Sequence, residues 1–178
     1  MGPGLVATDL GPPPGGSDSG PLAAEVVARL VSDGHSVALA ESCTGGAVLA
    51  RLTAVPGASG AVWGGTVVYT NEAKQQLLGI SAELLATAGA VSDVVTQDLA
   101  VRVRELSVST YGVAVTGWAG PDHGAEPAGT IYVAVASPSG CSARRAVYDG
   151  DRWFVQRSAV NAALTLLLEV LQEARSAC

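Results

Sequence analysis

Residues 36–46, Ser36-Val37-Ala38-Leu39-Ala40-Glu41-Ser42-Cys43-Thr44-Gly45-Gly46, hold the reading on which the fold turns. Ser36–Glu41 is a short, largely apolar run, as expected of a strand buried in a sheet. Thr44-Gly45-Gly46 then leads into a helical pattern carrying Leu49 and Leu52, which stops at Pro56-Gly57. Ser42 therefore falls at a strand-to-helix junction.

The same alternation continues on both sides. Upstream, Ser19 and Pro21 read as a helix start, and Leu22, Val26, Val27, Leu30 and Val31 form an apolar stripe that ends at Gly34. Residues 1–19 carry nine Gly and Pro between Gly2 and Gly16, a composition that predicts a flexible leader, so a single domain is expected over 20–178. Downstream, Ala61–Thr70 is β-rich, with Gly64-Gly65 marking a bulge or a close backbone approach, and Asn71 is expected to cap a helix that carries Lys74. Helical spacing returns over about Ser81–Ala88 and again after Ser92, with Val95, Leu99, Val103 and Leu106. Tyr111–Thr116 reads as a third strand that opens into the glycine-rich loop Gly117–Gly129. Thr130–Ala136 and Ser142–Tyr148 read as a hairpin, and Asp151 starts a last helix with Val155, Ala159, Ala162, Leu166 and Val170 on its core face. Helices separate the first three strands and a hairpin joins the last two, so the sheet should be mostly parallel with one antiparallel member, sandwiched by helices. Sites in such sheets form at the carboxyl ends of the parallel strands, which here means Ser42–Gly46, Thr70–Lys74 and Thr116–Gly120.

Composition narrows the function classes. Of 178 residues, 48% are hydrophobic and 15% charged, enough apolar surface to fold. Ten basic against sixteen acidic residues give a net charge of −6, which disfavours nucleic acid and anionic membrane surfaces as partners. Cys43, Cys141 and Cys178 show no paired spacing, apolar runs fall short of a bilayer span, and the N-terminus carries no basic-then-apolar signal. The chain is expected to be cytoplasmic. Nine of the ten basic residues are arginine, and Lys74 alone is lysine, the one cationic side chain type of the two that burial can deprotonate.

Four segments carry candidate chemistry, each beside a plainer reading. Ser42, before a helix whose free N–H groups can stabilise an oxyanion, is a candidate nucleophile; alternatively Ser42 or Thr44 is an N-cap. Cys43 is a rival nucleophile or a small buried side chain. Lys74 would be the base if its pKa fell by about 3 from about 10.4, roughly 4 kcal/mol, and otherwise is a solvated lysine. Tyr69 is a proton shuttle or a β-favouring aromatic. Thr116-Gly117-Trp118-Ala119-Gly120-Pro121 lets backbone approach a ligand, or forms a turn anchored by Trp118. Asp151 suits an N-cap, and Arg152 can clamp a phosphate or simply sit at an exposed helix start. His35 and His123, with Asp122, lack the spacing of a zinc site or triad, so no metal is expected, and no Walker or GxGxxG fingerprint is present.

Taken in order, Ala40–Gly46 (AESCTGG), Gly64–Ile80 (GGTVVYTNEAKQQLLGI), Gly89–Ser92 (GAVS), Ala114–Pro121 (AVTGWAGP), Pro127–Ala136 (PAGTIYVAVA) and Gly150–Arg152 (GDR) resemble the CinA C-terminal domain family over roughly residues 20 to 175. The resemblance implies an α/β fold, a three-layer α/β/α sandwich with a mixed, mostly parallel sheet of about five strands. It implies hydrolysis of the carboxamide of nicotinamide mononucleotide to nicotinate mononucleotide and ammonia, in pyridine nucleotide recycling, with no metal or organic cofactor. Carried over by motif, Ser42 would be the nucleophile and Lys74 its general base, with Tyr69 and Thr116 in support. Thr44, Gly45, Gly46, Asn71, Gly117, Gly120 and Arg152 would surround the substrate, Arg152 facing its phosphate and backbone N–H groups near Thr44–Gly46 holding the oxyanion.

Longer family members carry a further N-terminal domain, so the stand-alone form is expected here, and a homo-oligomer is expected by analogy. Trp118, where a smaller aliphatic residue is common, and Asp122-His123, in a loop often richer in glycine, depart from the family pattern and bear on substrate preference. Two other functions remain open at this point: a catalytically silent nucleotide-binding module linked to competence or DNA damage, and a serine amidase with another substrate.

Overall fold

In the computed structural model, which describes residues 8–9, 19–120 and 126–176, strands and helices alternate along most of the chain. They are β1 (Thr8–Asp9), α1 (Gly20–Asp33), β2 (Val37–Glu41), α2 (Ala47–Thr53), β3 (Val62–Val67), α3 (Asn71–Leu78), α4 (Ala82–Ala88), α5 (Asp93–Ser107), β4 (Tyr111–Gly117), β5 (Thr130–Ser137), β6 (Gly140–Val147) and α6 (Arg152–Ser176), with a 3-10 turn at Ala58–Gly60. One sheet contains all the strands in the order β1-β6-β5-β4-β2-β3. Strands β2, β3 and β4 are parallel, and β5 runs antiparallel to both β4 and β6. The α/β class, the mixed sheet and the single reversed strand match the expectation from sequence.

Five strands are substantial, as expected from sequence, and a two-residue sixth adds to them. Thr8 and Asp9, from the leader set aside above, pair in parallel with Arg144 and Arg145 of β6 at one edge of the sheet. At the other edge, β3 pairs only with β2 among the described residues.

The pleat of the central strands sorts side chains into two cores. Val37, Leu39, Val113, Val115, Ile131, Val133 and Val135 meet α1, α2 and α6. The alternate residues Ala38, Ala40, Ala114, Ala134 and Ala136 meet α3, α4 and α5. This two-residue period is what makes three layers from one sheet. The second face is built of small residues, so α5 lies close to it: a Cβ on Gly112 would stand 2.1 Å from the carbonyl oxygen of Ala100. Between Val37 and Ala38 the β2–β3 register shifts by one, leaving Trp63 as the extra residue of a bulge beside Gly64 (φ +140°). Gly65 supplies the close approach, since a Cβ there would meet the Leu39 carbonyl at 2.9 Å.

Helix starts follow the capping residues with one change. Ser81 and Ser92 accept from Leu84 and Val95 backbone N–H groups, and Asp151 accepts from that of Phe154. At α3 the cap is Thr70, whose hydroxyl oxygen accepts from Ala73 N–H; Asn71, expected to cap, is the first helical residue. Helix α6 has the length and apolarity to cross a bilayer, but 61% of its most apolar stretch is buried inside the fold. Its hydrophobicity is explained by the core it fills. Cys178, Asp122 and His123 lie outside the described residues.

Candidate active site

The carboxyl ends of β2, β3 and β4 lie side by side, with Glu41 level with Val67 and Val115. Alternation from the strands fixes where each side chain beyond them goes. Odd positions of β2 face α2, so Glu41 points there. Ser42 follows on the side of α3, which carries Lys74.

Glu41 is 2% exposed and its carboxylate is saturated with donors. Oε2 accepts from the Thr44 hydroxyl (2.7 Å), Gly46 N–H (3.0 Å) and Val48 N–H (3.1 Å), while Oε1 accepts from Leu49 N–H (2.8 Å). The start of α2 thus has a buried anion as its cap, which satisfies its orphan N–H groups and the positive end of its dipole. Neither Ser42 nor Thr44 caps this helix; its N-cap position is Gly46, at φ +98°. Sequence reasoning missed Glu41, although an acid ending an apolar strand just ahead of Ser-Cys-Thr was a readable signal.

The consequence for oxyanion binding is a correction. Gly46 N–H is taken by Glu41 and Gly45 N–H donates to the Ser42 carbonyl. Within the loop, the N–H groups of Cys43 and Thr44 are the ones with no acceptor on another residue among the described residues. Thr44 itself is buried and turned to Glu41.

Lys74 is 2% exposed, which removes the solvated-lysine reading. Its Nζ lies 3.4 Å from Ser42 Oγ and 2.9 Å from the Val68 carbonyl oxygen, to which it donates. Burial pushes its pKa below the ordinary lysine value, against a smaller opposing effect from Cys43. Position in the first turn of α3 works in the same direction as burial. When Lys74 is neutral, one N–H can still serve Val68 while the lone pair faces the Ser42 hydroxyl. Burial pushes the Cys43 thiol up to about 12, so it stays protonated and packs in the core.

A cavity of about 350 Å³ opens onto this pair. Ser42 and Lys74 lie at its lining together with Tyr69, Trp118, Gly120 and Arg152; Asn71 and Gly117 also border it. Arg152 donates to the Tyr69 phenol oxygen at 2.9 Å and to the Gly120 carbonyl at 3.4 Å, so one guanidinium bridges the ends of β3 and β4. Tyr69 is 57% exposed, and this bond to Arg152 rather than one to Ser42 or Lys74 is its polar contact. Gly117 leaves no room for a side chain, since a Cβ would meet Ile131 Cδ1 at 2.3 Å.

Four expected site residues lie off the cavity. Thr116 is fully buried, on the α5 side of β4, with its Oγ1 2.7 Å from that of Thr96. Because Thr96 donates to the Ser92 carbonyl, the bond between the two hydroxyls is donated by Thr116. Thr44, Gly45 and Gly46 shape the loop without bordering this cavity. Gln156, unmarked in the sequence, joins the site's support: its Nε2 donates to the Cys43 carbonyl at 2.8 Å. His35 stacks edge-on against Tyr111, with ring centroids 5.5 Å apart, at the other end of these strands.

A model of the CinA C-terminal domain matches residues 19–171. CinA-like proteins of Anaeromyxobacter sp. (strain K) and Synechococcus elongatus are 51% identical over 144 residues and 44% identical over 156. These alignments cover 80% and 85% of this chain but 35% and 37% of the relatives, so the chain spans about a third of their length. A crystal structure of a CinA superfamily protein from Klebsiella pneumoniae 700603 superposes with a TM-score of 0.85 at 31% identity, covering 88% of this chain and 99% of that one. A competence/damage-inducible protein from Agrobacterium tumefaciens gives 0.83 at 34%, covering 93% and 99%.

Proposed function

Because the chain belongs to the CinA C-terminal domain family, we propose that it hydrolyses the carboxamide of nicotinamide mononucleotide to nicotinate mononucleotide and ammonia, using Ser42 as nucleophile and Lys74 as general base. The observation that carries this reading is the buried amine of Lys74, 3.4 Å from a buried hydroxyl. A lysine of lowered pKa beside a serine is an activated-nucleophile arrangement, and the contact is expected to shorten when substrate fills the cavity.

In the first half-reaction Ser42 Oγ bonds to the amide carbon as Lys74 Nζ takes the hydroxyl proton. The oxyanion is received by the N–H group of Cys43, which borders the cavity. Lys74 returns the proton to the nitrogen, the C–N bond breaks and ammonia leaves. Water then adds to the acyl-enzyme, losing a proton to Lys74, and Ser42 Oγ departs with that proton to release the acid, which ionises to the carboxylate in solvent. Arg152, held by Tyr69 and Gly120, is placed at the cavity to pair with the phosphate, and Trp118 offers an aromatic wall to the pyridine ring.

Incubating the protein with nicotinamide mononucleotide and measuring ammonia tests this directly. Wild-type protein should release it, and Ser42→Ala and Lys74→Ala should each lose about 10³-fold or more in kcat. Lys74→Arg should be equally inactive, since a guanidinium has no proton to give up near neutral pH. Near wild-type ammonia release by these variants would refute the mechanism. Tight binding of the nucleotide without turnover would instead identify a silent binding module, and turnover of other amides alone would identify a different amidase.

A further inference from the structure

A second cavity, of about 400 Å³, lies between α2 and α6 and shares no lining residue with the first. Its existence follows from the helix faces. Ala47 and Ala50 of α2 and Ala54 just after it face the cavity, too small to fill the gap between two helices. On α6 the matching stripe is Trp153, Gln156, Arg157, Val160 and Asn161, so an aromatic, a cation and two amides join one valine where an interhelical seam would ordinarily be apolar. Trp153 is 72% exposed, and Arg51 brings a second guanidinium to the wall.

These groups describe a ligand: a flat heteroaromatic ring for Trp153, ring-edge donors and acceptors for the two amides, and an anion for Arg157. In a chain of net charge −6, Arg157 and Arg51 both reach this one cavity. We propose that this cavity is a second, non-catalytic site for a nucleoside monophosphate, and that its occupancy regulates Ser42 through Gln156. The regulatory part rests on the amidohydrolase reading above; the binding part does not. Gln156 lines this cavity yet donates to the carbonyl of Cys43, the residue after Ser42. A ligand that recruits the Gln156 amide takes that donor away from the nucleophile's loop and slows the chemical step. The first turn of α6 separates the two sites, with Arg152 bordering one and Trp153 the other.

The test begins without turnover. Ser42→Ala protein titrated with AMP, followed by calorimetry and by tryptophan fluorescence, should show one saturable site. Arg157→Ala and Trp153→Ala should each weaken it about tenfold or more, and Arg152→Ala should leave it unchanged. No saturation by about 5 mM, binding indifferent to both groove variants, or binding abolished by Arg152→Ala would overturn the proposal. With wild-type enzyme and nicotinamide mononucleotide, AMP should lower kcat at constant KM. Arg157→Ala, with normal turnover in the absence of AMP, should be insensitive to it. Competitive inhibition would place AMP in the catalytic cavity and overturn the second site; AMP binding at the groove with kcat unchanged would overturn the coupling. If wild-type protein releases no ammonia, the amidohydrolase reading fails while the binding result stands on its own.

Discussion

On the proposed mechanism, the burial of Lys74 ties both stability and activity to pH. Burial lowers its pKa in the folded protein, so between that lowered value and about 10.4 the unfolded chain binds more protons than the folded one. Stability therefore rises with pH across this window, and the cost of the buried charge is fully present below it. Lys74→Met should flatten the dependence of urea midpoints on pH below about 10.4 and abolish ammonia release. Activity should rise with pH on the same deprotonation. Val108 is a second residue under tension: a β-branched side chain at φ +54°, 89% exposed, ending α5 where glycine is the usual choice. Val108→Gly should raise stability by about 1 kcal/mol, read as a higher denaturation midpoint with unchanged activity.

Among the elements, α2 is the one whose position rests on a single carboxylate. It has seven residues, too few to be stable by propensity, and Glu41 satisfies three N–H groups at or near its start. Glu41→Gln leaves one oxygen to accept and turns an –NH₂ toward donors. A loss of about 2 kcal/mol in chemical denaturation is expected, with a fall in kcat larger than the rise in KM, because the loop from Ser42 to Gly46 shares the same anchor. Helix α5 depends on closeness instead. Gly112→Ala would drive a methyl group against the Ala100 carbonyl, lifting α5 and with it Thr96, the partner of Thr116. A loss of about 2 kcal/mol is expected from this overpacking.

At the scale of the molecule, what could be read in advance was whatever the chain states locally. Buried strands bounded by glycine and proline, and helices between them, gave the mixed sheet. The strand-to-helix junction at Ser42 and the lone lysine marked two side chains that the fold brings within 3.4 Å of each other. Contacts set by the packing of distant segments were not readable. Gln156 reaches a carbonyl 113 residues earlier in the chain, and nothing near it in sequence marks that role. Glu41 needed the orientation of α2, which only the closed sheet defines. Thr70 and Asn71 are both good caps, and the path of the chain leaving β3 chose between them. The glycine and proline content of the leader concealed Thr8–Asp9, whose pairing depends on β6 offering a free edge.

The two halves of the proposed dyad hang from different strands. Ser42 leaves β2, deep in the sheet, while Lys74 sits on the helix that follows β3, an edge strand with one neighbour among the described residues. Fraying of that outermost ribbon would carry the base away from a nucleophile that stays in place. Catalysis should then fail at urea concentrations where the far-ultraviolet circular dichroism is still native, and recover at once on dilution, making turnover the most sensitive reporter of the first local opening of this fold.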